Sequence, residues 1–227
     1  MDRQIDRQNK SLRDLKAFLF DLDGTLINSA DDIVEAVNHT LKQLGRQSLP
    51  KDEIIKHVGY GGRKLMEDIL QTTDKDLIDK ATEIFREYYF SNPCVYTTPY
   101  PYVEDLLEIL KKKNKKIAVI TNKYENISKK ILDKLGLAKY IDIIVGSDTV
   151  GEKKPSPEPI FYALKYLNTS PNNSILIGDS EVDIQAGRNA GSLTGLVLYG
   201  YGKINLAKEL NPDYIFKSLK EVIEEIK

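Results

Sequence analysis

The chain has 227 residues, 33 basic and 34 acidic side chains, two histidines and one cysteine, enough for one ample core or a core with a smaller insert. A net charge of −1 offers no basic excess for a nucleic-acid backbone, and no stretch approaches the ~18 apolar residues of a membrane span. Cys94 alone excludes an intramolecular disulfide framework or a Cys-rich zinc site and fits a reducing, cytoplasmic compartment, while His39 and His57 are too few for a histidine metal cluster.

Residues 1–16 alternate charge and polarity with no apolar core. They read as a partly ordered leader before the first strand, not as a secretory signal. The run Ala17–Phe20 then stops at Asp21-Leu22-Asp23-Gly24-Thr25. A buried strand there carries two carboxylates to its end, and alternate residues of an extended chain point the same way. Like charges that close repel unless a cation or a proton sits between them. The spacing therefore points to metal binding, acid/base chemistry or both, although Asp-Gly is also a common turn dipeptide.

From Ser29 to about Pro99 no strand run appears. Ile33, Val34, Val37, Leu41 and Leu44 space as one face of a helix closed by Gly45. Ile54, Ile55 and Val58 suggest a second helix, Leu65, Met66, Ile69 and Leu70 a third, and 77–90 a fourth. So long an interval is a helical insert, not an ordinary loop.

Beyond it, strand and helix alternate. Apolar runs at 117–120, 141–145, 174–178 and 195–198 read as strands buried on both faces. Between them, Val103, Leu106, Leu107 and Leu110 line one helix. Ile127, Ile131, Leu132 and Leu135 line another, and Ile160, Phe161, Leu164 and Leu167 a third. Ser180 and Asp183 read as a capping box opening a fourth. The pattern predicts an α/β fold: a doubly wound, parallel, Rossmann-like sheet with helices on both faces and an all-helical insert after the first strand. The expected division is a core of residues 1–28 and 98–227 and a helical cap of residues 29–97.

Ligands bind beyond the carboxyl ends of such strands. Four of those ends supply Asp21 and Asp23, Thr121 and Asn122, Lys153 and Lys154 before Pro155, and Asp179 with Asp183. Three acids could hold Mg²⁺ through oxygen ligands. A hydroxyl, backbone amides and a lysine could bind phosphoryl oxygens, aided by helix N-termini near Asn122 and Ser180. Gly59-Tyr60-Gly61-Gly62 does not make a P-loop, because it lies between helices.

In the order and spacing of these motifs the chain resembles the haloacid dehalogenase-like hydrolase superfamily, and within it the phosphoglycolate phosphatases. Asp21-Leu22-Asp23-Gly24-Thr25, Ile120-Thr121-Asn122, Lys154-Pro155 and Gly178-Asp179 through Asp183 match the four motifs. Val58–Leu65, Thr121-Asn122-Lys123 and Lys154–Pro159 carry the closer likeness. The resemblance implies a Mg²⁺-dependent phosphatase of small phosphate monoesters, chiefly 2-phosphoglycolate, working through an aspartyl-phosphate. It makes Asp21 the nucleophile, Asp23 the proton carrier, and Thr121 and Lys154 the phosphoryl-binding pair. Gly24, Thr25 and Asn122 join the phosphate site. Mg²⁺ falls to Asp21, the backbone carbonyl of Asp23, and Asp179, with Asp183 behind them. Gly59 and Gly61 would let backbone amides approach a substrate carboxylate, and Arg63 or Lys64 would pair with it. A pyrophosphatase or a phosphosugar mutase of the same superfamily uses the same carboxylates and is the alternative. A receiver-like signalling domain fits Asp23 and the helical insert poorly. No nucleic-acid or membrane partner is expected, and the sequence leaves the oligomeric state open.

Overall fold

The computed structural model describes residues 11–227, so the leader expected over 1–16 lies mostly outside the described residues. Its last part, Leu12–Asp14, is a 3₁₀ turn capped by the Ser11 side chain, with Leu12 and Leu15 fully buried.

Six strands form one parallel sheet in the order β5-β4-β1-β6-β7-β8. They are β1 (Ala17–Phe20), β4 (Lys116–Ile120), β5 (Ile143–Val145), β6 (Ser174–Gly178), β7 (Leu193–Val197) and β8 (Tyr214–Phe216). β1 lies at the centre, with Phe18 opposite Ile117 on one side and Ile175 on the other. Alternation divides the strands between two cores. Phe18, Phe20, Val119 and Ile177 pack with α5 (Val103–Lys112) and α10 (Leu219–Ile226), whereas Ala17, Leu19, Ile120 and Leu176 pack with α7 (Glu158–Tyr166) and α8 (Glu181–Ala190). Helices on both faces account for the uninterrupted apolar runs.

Several strands differ from the sequence expectation: β5 starts at Ile143, two residues after the expected 141, and the largest departures are at β7 and β8. β7 begins at Leu193, before the expected Gly195, and runs through buried Thr194. The burial of Thr194 is satisfied because its hydroxyl and its N–H both donate to Asp213 at 2.8 Å. β8 was not expected. It is a three-residue edge strand with Ile215 exposed, reached through α9 (Ile204–Glu209). On α7, Phe161 is 39 % exposed, and Ile160, Ala163 and Leu164 make the buried face instead.

Four helices separate β1 from α5: α1 (Ala30–Gln43), α2 (Lys51–Ile55), α3 (Gly62–Leu70) and α4 (Lys75–Ser91). They are bracketed by a short antiparallel pair, β2 (Ile27–Asn28) and β3 (Thr98–Pro99). α4 packs on both α1 and α3. The returning chain is pinned by Asp32, a buried carboxylate at the start of α1. It accepts hydrogen bonds from the N–H groups of Val95, Tyr96 and Thr97 and from the Thr97 hydroxyl.

Candidate active site

β1 delivers Asp21 to the carboxyl edge of the sheet, where its N–H continues the ladder to the Ile177 carbonyl at 2.9 Å. The chain then turns sharply: the N–H groups of Leu26 and Ile27 both donate to the Leu22 carbonyl at 3.0 Å. Gly24 sits in this turn at φ +82°, and a Cβ there would stand 2.2 Å from Oδ2 of Asp179. The residue is glycine for two reasons at once, its left-handed backbone and the closeness of that carboxylate.

Lys154 comes from the segment after β5 and is 2 % exposed. Its ammonium donates to Oδ1 of Asp21 at 2.7 Å and to Oδ1 of Asp183 at 2.6 Å. Asp183 also caps α8: its Oδ2 accepts from the Ser180 N–H at 3.1 Å and from the Ser180 hydroxyl at 2.5 Å. Both Asp183 oxygens are therefore engaged. Asp179, at the end of β6, accepts at Oδ2 from the N–H groups of Tyr201 and Gly202, at 2.9 and 2.8 Å.

Burial pushes the Asp21 carboxyl up to about 7; the Lys154 ammonium opposes this, and Asp183 and Asp23 add to it. Burial likewise raises Asp179 well above the usual carboxylate range, with Asp183 and Asp21 contributing. Burial works against the Lys154 charge, yet Asp183 and Asp21 outweigh it and hold its pKa above that of an ordinary lysine.

Asp21, Asp179 and Asp183 each offer a carboxylate oxygen within 4.8 Å of the others. Oδ2 of Asp21 and Oδ1 of Asp179 take no hydrogen bond from the described residues. Counted in their ionised forms, four carboxylates (Asp21, Asp23, Asp179, Asp183) face two ammonium groups (Lys123, Lys154) around them among the described residues, a formal excess of two negative charges that protons or a cation must offset. Hard oxygen donors with that imbalance suit a divalent cation such as Mg²⁺. The Asp23 side chain stands outside this acid cluster, because it is paired with Lys123.

Asp23 anchors a second network. Lys123 Nζ donates to its two oxygens at 2.9 and 2.8 Å and to the Tyr89 hydroxyl at 2.9 Å. The Ser29 hydroxyl donates to Oδ1 of Asp23 at 2.5 Å and lies 2.9 Å from the Tyr201 hydroxyl. Thr121 follows β4 and is nearly buried; its Oγ1 accepts from the Lys123 N–H at 3.1 Å, leaving the hydroxyl proton free to donate. The Thr25 hydroxyl is buried with no hydrogen-bond partner among the described residues. Asn122 serves as a brace: its Nδ2 donates to the carbonyls of Gly59 and Lys154 at 2.9 and 3.0 Å.

Asp21, Asp23, Thr121, Asn122, Lys123 and Asp179 floor a narrow cavity of about 60 Å³, roofed by Val58, Gly59, Gly61, Gly62, Leu65 and Phe85. Gly61 and Gly59 reach it with backbone at positive φ. Arg63 does not: it turns outward to Asp79, with contacts of 3.0 and 2.8 Å. Lys64 pairs with Glu67 and Asp68. α6 (Glu125–Lys134) starts three residues beyond Asn122, so the turn 122–124 separates its N-terminus from that residue.

The structure thus brings Asp21, Asp23, Gly24, Thr25, Thr121, Asn122, Lys154, Asp179 and Asp183 to one edge of the sheet, with Gly59 and Gly61 above them. Sequence reasoning missed Ser29, Tyr89 and Tyr201 as parts of the site, and it gave Lys123 no role. Tyr89 carries no local signal, because it lies within the helical pattern over 77–90. Lys123 had one, since it directly follows a polar strand end.

Residues 18–197 match the haloacid dehalogenase-like hydrolase family. The phosphoglycolate phosphatase of Aquifex aeolicus is 48 % identical over 191 residues, 84 % of this chain and 88 % of that protein. The phosphoglycolate phosphatase of Neisseria meningitidis is 38 % identical over 96 % of both chains. Among solved structures, a predicted phosphoglycolate phosphatase from Haemophilus somnus 129PT superposes with a TM-score of 0.88 at 28 % identity, covering 94 % of this chain and 99 % of that one. A predicted phosphatase from Clostridium acetobutylicum gives 0.84 at 31 % identity, covering 93 % and 98 %.

Proposed function

We propose, for a chain that belongs to the haloacid dehalogenase-like hydrolase family and is a phosphatase, that it hydrolyses 2-phosphoglycolate through an aspartyl-phosphate on Asp21. The observation that carries this reading is the division of labour on one carboxylate. Oδ1 of Asp21 is held by Lys154 at 2.7 Å, and Oδ2 takes no hydrogen bond from the described residues while the residue lines the cavity.

In this reading Oδ2 attacks phosphorus in line with the ester oxygen, and the P–O ester bond breaks. Asp23 gives its proton to the leaving alkoxide, then takes one from the water that attacks the acyl phosphate. Inorganic phosphate leaves and Asp21 returns as carboxylate. Lys154 and the Thr121 hydroxyl neutralise phosphoryl oxygens, the electrostatic work on which phosphoryl transfer mainly depends. Asp21, Asp179 and the backbone carbonyl of Asp23 would hold Mg²⁺, with Asp183 orienting Lys154 behind them. When bound, the cation supplies further charge neutralisation at the phosphoryl group.

Residues 29–97 act as the cap over a core of 1–28 and 98–227, of which residues 1–10 lie outside the described residues. Among the described residues no helix is long and apolar enough to cross a membrane, and a lone free cysteine supports a cytoplasmic setting. The test is phosphate release from a panel of phosphate esters with Mg²⁺ present. Wild-type protein is expected to turn over 2-phosphoglycolate, and Asp21→Asn to lose at least about a thousandfold in kcat while keeping its circular dichroism spectrum. Substantial activity in the folded variant removes Asp21 as the nucleophile.

A further inference from the structure

Lys123 has no part in the reaction as written, yet its side chain is only 7 % exposed and lines the cavity. Among the described residues it is the one cationic side chain that does so. Lys123 is itself paired with Asp23 and Tyr89, but its ammonium stands at the cavity, whereas the other nearby cations do not line it. Arg63 faces Asp79, Lys64 faces Glu67 and Asp68, and Lys153 donates to the Tyr60 carbonyl at 2.7 Å. Lys154 lies behind Asp21.

The walls around Lys123 are apolar, formed by Ile33, Val58, Leu65 and Phe85. A neutral substrate tail would find contact there, but an anionic tail would have a single ammonium to meet. Position points the same way. Lys123 Nζ is hydrogen-bonded to the Asp23 carboxylate, and Asp23 must touch the leaving oxygen. A group on the carbon next to that oxygen therefore falls within reach of Nζ. Tyr89, arriving from α4, fixes the ammonium from the other side at 2.9 Å, with the ring centroid 4.3 Å from Nζ.

We propose that Lys123 is the specificity-determining residue of this site: it binds a carboxylate carried one carbon from the ester oxygen, so the preferred substrates are small phosphate esters with that second anionic group. The proposal rests on the phosphatase reading and assigns the selectivity to the core side of the cavity, not to Arg63 of the helical insert.

The experiment compares kcat/KM for 2-phosphoglycolate and for 2-hydroxyethyl phosphate, in which a hydroxymethyl group replaces the carboxylate. Wild-type protein, Lys123→Met and Lys123→Arg are measured with Mg²⁺. Both esters share the nucleophile, the proton carrier and the phosphoryl site, so their ratio isolates carboxylate recognition. The ratio is expected to favour 2-phosphoglycolate in wild type, to fall about tenfold or more in Lys123→Met through a raised KM, and to recover in part in Lys123→Arg. Equal losses on both esters, or an unchanged ratio, would overturn the proposal. If Lys123→Met does not fold, Lys123→Gln supplies the same ratio. Absence of phosphate release from every ester by wild type would instead count against the phosphatase reading itself.

Discussion

Asp21 and Asp179 keep their protons to unusually high pH in the protein without a cation, and that has a measurable sign. Both folded pKa values lie above the ordinary aspartate value of 3.8, that of Asp21 at about 7. The contribution of Asp21 therefore favours the folded protein below about pH 4 and is lost as pH rises through about 7, and that of Asp179 has the same sign. A divalent cation between the carboxylates removes the repulsion that raises them. Mg²⁺ is expected to raise the melting temperature more at pH 8 than at pH 5, with EDTA-treated protein as the baseline. Equal shifts at the two pH values would contradict the assignment. The acid pair was legible in the sequence because strand periodicity alone sets both carboxylates at one strand end. The partner of Asp23 was not, because Lys123 lies 100 positions away and Tyr89 sits among apolar helix positions.

At the scale of elements, the loop 58–61 between α2 and α3 is tied to the core by three side chains. The Tyr60 hydroxyl donates to Oε1 of Glu181 at 2.8 Å, Lys153 holds the Tyr60 carbonyl, and Asn122 holds that of Gly59. One such tie contributes about 1 kcal/mol, or roughly fivefold in an equilibrium between docked and undocked loop. Tyr60→Phe is accordingly expected to raise KM about fivefold with a smaller change in kcat, measured by steady-state kinetics. A drop in kcat at constant KM would place Tyr60 in the chemistry instead. The helices of this region were readable from their 3.6-residue spacing, whereas the ties were not, since a glycine-rich turn gives no sign of which distant side chains bind it. β8 was missed for a related reason: Tyr214–Phe216 is short and half exposed, and its pairing with β7 is what makes it a strand.

At the scale of the molecule, stability rests on the two cores flanking the sheet. Leu176 is fully buried in the central strand β6, on the side of α7 and α8. Leu176→Ala is expected to lower the unfolding free energy by about 2–5 kcal/mol in urea titration. Phe161→Ala, on the half-exposed face of α7, should lower it by only about 1 kcal/mol. A large loss at Phe161 would show that an unrecognised surface covers that helix. The layer order was legible because continuous apolar runs separated by amphipathic helices admit few arrangements. The start of β7 was not, because polar Thr194 can be buried once Asp213 satisfies it, and neither was the sheet's edge at β8, whose strand is short and half exposed.

Those edges bear on how the chain behaves when crowded. β5 and β8, the outermost strands, have three residues each. Pro212 and Asp213 precede one of them and Lys217 follows it, while Asp142 precedes the other and spends its carboxylate on the Ile117 N–H and on Lys111. Neither border is long enough to template a strand from a second molecule, and both are flanked by charge. The protein is thereby guarded against edge-to-edge aggregation.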